Sequence, residues 1–183
     1  GNLLATLHLA KKRVRKRVSI KNEVAEVREI MGTLVAALPH LKPRLKALFE
    51  KFKTVRWHDD VPTVLLHGTF RLNQIFMSGN ELALLDLDSM RVGHPAYDIA
   101  NFLSSLYYHE AQERIRPSLR QNITRHFLKG YAAKAPWGIP PVAVLWFLSS
   151  LLINKQAGKY VSHFHEDREE KVNRMITLAE VTL

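Results

Sequence analysis

The chain has 183 residues, a net charge of +10 and no cysteine, and its 46% hydrophobic and 24% charged content is that of a folded globular protein. The lack of cysteine excludes disulfides, a thiol nucleophile and Cys-ligated zinc or iron–sulfur centres. A chain of this length buries roughly 70% of its unfolded surface, enough for a core without staples, and no apolar run reaches the roughly 18 residues a membrane helix needs.

Residues 1–10 already follow a helical pattern, with Leu3, Leu4, Leu7 and Ala10 on one stripe. A domain seldom begins inside an amphipathic helix, so the chain is expected to be a piece of a longer or processed protein. The order of regions that marks a signal peptide is not found, and the expected location is cytoplasmic. Lys11, Lys12, Arg13, Arg15, Lys16 and Arg17 then place six cations in seven positions. Such a run suits nucleic acid or an anionic membrane surface. It equally suits a solvated helix or loop. No interleaved aromatics support stacking on single strands, so nucleic acid is not the expected partner.

The whole of residues 1–56 reads as helical, with Pro39 and Pro43 bracketing a short break. Residues 23–38 carry Val24, Val27, Ile30, Met31, Leu34, Val35 and Leu38 near helical spacing, and residues 41–52 repeat the pattern with Leu45, Leu48, Phe49 and Phe52. The period changes after Trp57. Residues 63–66 are a short apolar strand, and residues 74–77 and 81–87 flank the hairpin signal Ser78-Gly79-Asn80. Helices are predicted again at 97–108, 117–133, 140–160 and 167–183, with a Pro-rich loop at 136–141. The predicted fold is mainly α (α+β), helical with a small central β hairpin.

The polar residues of the β insert suggest chemistry. The loop His67-Gly68-Thr69-Phe70-Arg71-Leu72-Asn73-Gln74 follows one strand, and another strand ends at Leu84-Leu85-Asp86-Leu87-Asp88. Hairpin geometry can bring an amide, Gln74 or Asn73, near Asp86. One carboxylate and one amide oxygen suit Mg²⁺, which keeps water and phosphate for its remaining positions. The same spacing also suits a hairpin exit merely capped by Asp86 and Asp88.

This segment, continued by Gly93-His94-Pro95-Ala96-Tyr97-Asp98-Ile99-Ala100, resembles the catalytic core of the aminoglycoside phosphotransferase/choline kinase-like family of the protein-kinase-like superfamily. That family has a His-Gly-Asp loop, an Asn or Gln five residues later, a strand ending in Ile/Leu-Asp, and Gly-Asp-Pro-Ala-Tyr-Asp-Leu-Ala. Leu3-Leu4-Ala5-Thr6-Leu7-His8 and Phe127-Leu128-Lys129-Gly130-Tyr131 are similar to flanking helices of the same lobe. The resemblance implies that residues 1–183 form a single domain, the helical C-terminal lobe, without the N-terminal nucleotide lobe. It implies Mg²⁺ and ATP as cofactors, with Gln74 and Asp86 as metal ligands, Asn73 beside them at the cofactor, His67 as a structural member of the catalytic loop and Asp98 bracing that loop. The implied partners are a small polar hydroxyl-bearing substrate and the missing lobe, or a partner chain in its place.

Three positions depart from the family pattern. Thr69 stands where the catalytic Asp is expected, Arg71 where many members have His, and His94 where they have Asp. A threonine hydroxyl does not ionise usefully near neutral pH, and loss of a positioned base costs about 10²–10⁴-fold. The last two add or allow positive charge near the site. The expectation is therefore a degenerate ATP-dependent phosphotransferase, with a non-catalytic pseudokinase-like binding module as the alternative. His163-Phe164-His165-Glu166-Asp167 lacks a third spaced ligand and reads as a polar loop at a helix start. Tyr107-Tyr108-His109 and Trp146-Phe147 read as core rather than ligand sets. No Gly-x-Ser-x-Gly elbow suggests a hydrolase.

Overall fold

A computed structural model describes residues 1–58, 60–162 and 167–183. The motif at residues 163–166 therefore lies outside the described residues. The chain divides into two compact units, Gly1–Val18 with Asp59–Pro140 and Ser19–His58 with Pro141–Leu183.

The first unit contains helix α1 (Asn2–Leu9), strands β1 (Val64–Leu66), β2 (Ile75–Ser78), β3 (Glu81–Leu84) and β4 (Arg91–Gly93), and helices α4 (Ala96–Ala111) and α5 (Pro117–Ala132). The face that α1 buries holds Leu4, Ala5 and His8 rather than the predicted stripe, because Ala10 is exposed and Leu3 and Leu7 are only half-buried. Residues 10–19 are not helical. A run of six like charges repels itself in a helix, where residues three and four apart are neighbours, and here it is irregular, with a bend at Arg15 and a single bridge from Arg17 to Val92. Its end joins β4 through Val18 N–H to Val92 O at 2.9 Å and Val92 N–H to Lys16 O at 2.9 Å.

The β residues make two small antiparallel pairs rather than one hairpin. β2 and β3 form the predicted hairpin with Ser78 opposite Glu81, and Gly79 takes the positive φ of 56° that a two-residue turn favours. β1 pairs with β4, Leu65 opposite Val92. That long-range partner lies beyond the hairpin, and local pattern does not disclose it. Phe70, on the loop after β1, packs 5.6 Å from Phe102 of α4 and 6.1 Å from Phe127 of α5, which stack on each other at 4.1 Å between centroids.

The second unit contains α2 (Ile20–Ala37), α3 (Lys42–Thr54), α6 (Pro141–Leu151), α7 (Gly158–Ser162) and α8 (Arg168–Thr182). α2 begins before the predicted residue 23, because Ser19 Oγ accepts the Asn22 N–H at 3.2 Å and caps the first turn. Pro39 ends it, leading into a 3₁₀ turn at Pro39–Leu41. The long helix predicted at 140–160 is interrupted: α6 passes through a π-helical stretch, Leu152–Ala157, before α7. Trp146 anchors this core, its indole N–H donating to Phe52 O at 3.2 Å, and Leu151, Leu152, Ile153, Met175 and Ile176 have no exposed area. No helix among the described residues is long and apolar enough to cross a membrane.

Candidate active site

The site lies wholly in the first unit and is built on the loop between β1 and β2. A loop has no ladder to satisfy its backbone, so buried N–H groups need side-chain acceptors. Asp98, in the first turn of α4 and fully buried, supplies both: its Oδ2 accepts His67 N–H at 2.6 Å and its Oδ1 accepts Gly68 N–H at 2.9 Å. Gly68 has φ 87°, and a Cβ there would lie 2.2 Å from the carbonyl oxygen of Ser89. Only glycine fits this position.

Asp98 is itself held from α1. His8 Nε2 lies 3.3 Å from Asp98 Oδ2, and His8 Nδ1 lies 2.8 Å from the Tyr131 hydroxyl. A carboxylate accepts only, so Nε2 carries the hydrogen and the phenol donates to Nδ1. Tyr131 in turn accepts the Trp137 indole N–H at 3.2 Å. Burial pushes the Tyr131 phenol up to about 12, against the Trp137 hydrogen bond and with the charge of Asp98 adding to it.

A second chain of bonds crosses the loop. His67 Nε2 lies 3.0 Å from Leu85 O; a carbonyl accepts only, so Nε2–H donates and Nδ1 is left as an acceptor. Thr69 Oγ1 is 3.5 Å from that Nδ1 and accepts Gln74 Nε2–H at 3.2 Å. Gln74 Nε2 also donates to Asp86 Oδ2 at 2.9 Å. Gln74 is buried while its neighbour Asn73 is exposed, so Gln74 is the amide that meets Asp86. Asn73 stands outside the cluster. Asp86 adopts φ 60° and ψ 61° and makes no side-chain cap to the following turn, Leu87–Ser89; its carboxylate is turned to Gln74 instead of capping the hairpin exit.

Gln74 Oε1 is buried and has no hydrogen-bond partner among the described residues. A half-turn of the amide would present oxygen rather than N–H to Asp86, and the two oxygens together are a hard-cation donor pair. Among the described residues no three His, Cys, Asp or Glu side chains gather as a metal set. His94 Nδ1 accepts the Ala96 N–H at 3.1 Å, at the start of α4. Arg71 remains as the cation of the loop.

Sequence reasoning missed His8, Tyr131 and Trp137 as members of the site. A histidine on the apolar side of α1 was the available signal, since a buried imidazole needs partners on both nitrogens. Tyr131 and Trp137 gave none, because Tyr131 depends on His8, more than a hundred residues away in sequence, and Trp137 enters only through Tyr131.

Residues 1–137 match the profile of the phosphotransferase enzyme family. Solved structures give the same fold at low identity. A choline/ethanolamine kinase family protein from Mesorhizobium loti aligns with a TM-score of 0.61 at 8% identity, over 99% of this chain and 60% of that one. The amicoumacin kinase hAmiN, solved with AMP-PNP, Ca²⁺ and Ami, gives 0.59 at 16% identity, over 99% and 56%. The aminoglycoside phosphotransferase APH(3'')-Id from Streptomyces rimosus gives 0.52 at 13% identity, over 82% and 58%. The chain thus spans less than two thirds of each of these proteins. No curated protein sequence matches it. The chain belongs to the phosphotransferase enzyme family and has the mainly α protein-kinase-like fold.

Proposed function

We propose that this chain is the substrate- and metal-side lobe of an ATP-dependent phosphotransferase acting on a hydroxyl of a small polar molecule, and that its own chemistry is degenerate at Thr69. The observation that carries the reading is the Gln74 amide against the Asp86 carboxylate, 2.9 Å from Nε2 to Oδ2 with Oε1 unpartnered among the described residues, on a loop whose backbone a buried carboxylate holds in place. Asp86 and Gln74 would hold Mg²⁺, which when bound neutralises phosphate charge and draws the transferring group into line. Asp98 fixes the loop, His67 ties it to the Leu85 carbonyl, and Asn73 stands exposed at the cofactor's edge.

The missing lobe is part of the same reading. Phe76, Met77 and Leu82 of the β2–β3 hairpin are 54%, 70% and 50% exposed. Met77 and Leu82 are register partners on one face of the hairpin and Phe76 lies on the other; a nucleotide with its N-terminal lobe would cover one of these faces.

Phosphoryl transfer depends mostly on positioning and charge, yet a substrate hydroxyl still needs somewhere to send its proton. The Thr69 hydroxyl is spent on His67 and Gln74 and offers no carboxylate. That observation favours a second reading, a pseudokinase-like module that binds nucleotide or substrate without turnover.

Thermal unfolding with Mg-ATP, on the protein complete with its nucleotide lobe, separates these from a protein that binds no nucleotide. Stabilisation lost in Asp86→Ala supports the metal site; no stabilisation in the wild type rejects it. Thr69→Asp should raise phosphoryl transfer to a panel of hydroxyl compounds by about 10²–10⁴-fold. Stabilisation without any gain in turnover leaves the binding module as the function.

A further inference from the structure

Two buried side-chain atoms lack a hydrogen-bond partner among the described residues, Gln74 Oε1 and Arg71 Nε, and they belong to the same short loop. The first is an acceptor on the amide whose Nε2 holds Asp86. The second is a donor on a permanently charged group, and its counterpart is an anion.

Two further cations come from other segments, one over this loop and one at the turn Leu87–Ser89. Arg91 of β4 donates from Nε to the Ser89 carbonyl at 3.0 Å. A Cβ on Gly68 would lie 2.8 Å from that nitrogen, so the guanidinium stands over the backbone next to Thr69. Its other two nitrogens have no partner among the described residues. Lys16, hydrogen-bonded through its carbonyl to Val92, brings its ammonium 3.5 Å from the Asp88 carbonyl. Neither Lys16, Arg71 nor Arg91 joins an ion pair among the described residues. The basic run is thus laid along β4, with its last residues at the rim of the site.

We propose that the acceptor is an anion: a hydroxyl compound that also carries a phosphate monoester or a comparable dianion, gripped by Arg71, Arg91 and Lys16. A cationic acceptor would meet three like charges there. Donor groups from three segments would match the several acceptor oxygens of a phosphate. This assignment rests on the phosphotransferase reading and names its substrate class.

The test is an amide-resolved NMR titration of the full chain without metal or nucleotide, using inorganic phosphate and, separately, tetramethylammonium. Phosphate should move the amides of Gly68, Arg71, Ser89 and Arg91 and saturate, while tetramethylammonium leaves them in place. Arg91→Gln and Lys16→Gln should each weaken phosphate binding about fivefold, the effect of one exposed charge contact, with the remaining spectrum unchanged. Shifts that do not saturate, that fall on another surface, that follow tetramethylammonium or that survive both substitutions undiminished overturn the proposal. Displacement of phosphate from these amides by Mg-ATP would assign the anion to the nucleotide and overturn it as well. Asp86→Ala keeps the two ideas apart: it should abolish stabilisation by Mg-ATP and leave phosphate binding intact.

Discussion

The two units of the chain bury different things. In the first, the deepest groups include a carboxylate and two imidazoles: Asp98 and His67 are 0% exposed and His8 3%. In the second they are mostly hydrocarbon, Trp146, Leu151, Ile153, Met175 and Ile176, beside the small hydroxyls Ser149 and Ser150, with Glu23 as the buried acid, accepting Ser150 Oγ–H at 2.9 Å. The contrast follows from backbone satisfaction. Helices close their own hydrogen bonds, so a helical unit can fill its centre with hydrocarbon. A loop bent around Gly68 cannot, and its N–H groups must be answered by a side chain brought from elsewhere. The polar centre exists because the site is a loop.

Removing that answer is the strongest way to break the contrast. Asp98→Ala leaves the His67 and Gly68 N–H groups and His8 without their acceptor, and should lower stability by about 3–5 kcal/mol, measured by urea unfolding of the full chain. Asp98→Asn keeps one accepting oxygen and should cost about 2 kcal/mol. A loss below about 1 kcal/mol for the alanine variant would mean that aromatic packing through Phe70, not the carboxylate, holds the loop. In the other unit, Trp146→Phe keeps most of the apolar volume but orphans the Phe52 carbonyl, and should cost about 2–3 kcal/mol. The Mg-ATP response should be untouched by it, since Trp146 belongs to the scaffold.

How much of this could be read in the sequence differs between the units for the same reason. Helical periodicity located α2, α3, α5 and α8, because it is a local signal that packing on one face enforces. It did not locate the π-helical stretch Leu152–Ala157, where the apolar pattern simply continues. Within the site, the spacing from His67 to Gln74 and the strand end at Asp86 brought the right segments under suspicion. The pairing of β1 with β4, the exposure of Asn73 beside buried Gln74, and the link from His8 to Tyr131 and Asp98 depend on tertiary placement.

The polar centre should also show in alkali. Tyr131 is held protonated to about 12, while the unfolded chain releases a tyrosine proton near an ordinary value of about 10. The contribution is therefore intact below pH 10 and is lost as the pH rises toward 12. Wild type measured against Tyr131→Phe should lose on the order of 2 kcal/mol across that window. The variant itself should be less stable at neutral pH by about 1 kcal/mol, the hydrogen bond to His8. An identical alkaline slope in both proteins would show that the phenol is not buried against Asp98 as described.

The smallest effect belongs to the surface of the helical unit and sharpens the comparison from the other side. Arg44 forks onto Glu180 at 2.8 and 2.6 Å and also reaches Asn173 and Thr177, joining α3 to α8. Its guanidinium pKa is raised, chiefly by the hydrogen bond to Glu180. Both partners of the ion pair are about a third exposed, so water screens much of the attraction. Arg44→Lys keeps the charge but removes the planar fork, and should cost about 0.5–1 kcal/mol in the same urea series. High salt should shrink the difference, since screening acts on exposed pairs. If the lysine variant instead lost as much as Asp98→Ala, the helical unit would depend on a polar network as the loop unit does, and the distinction between the two centres would fail.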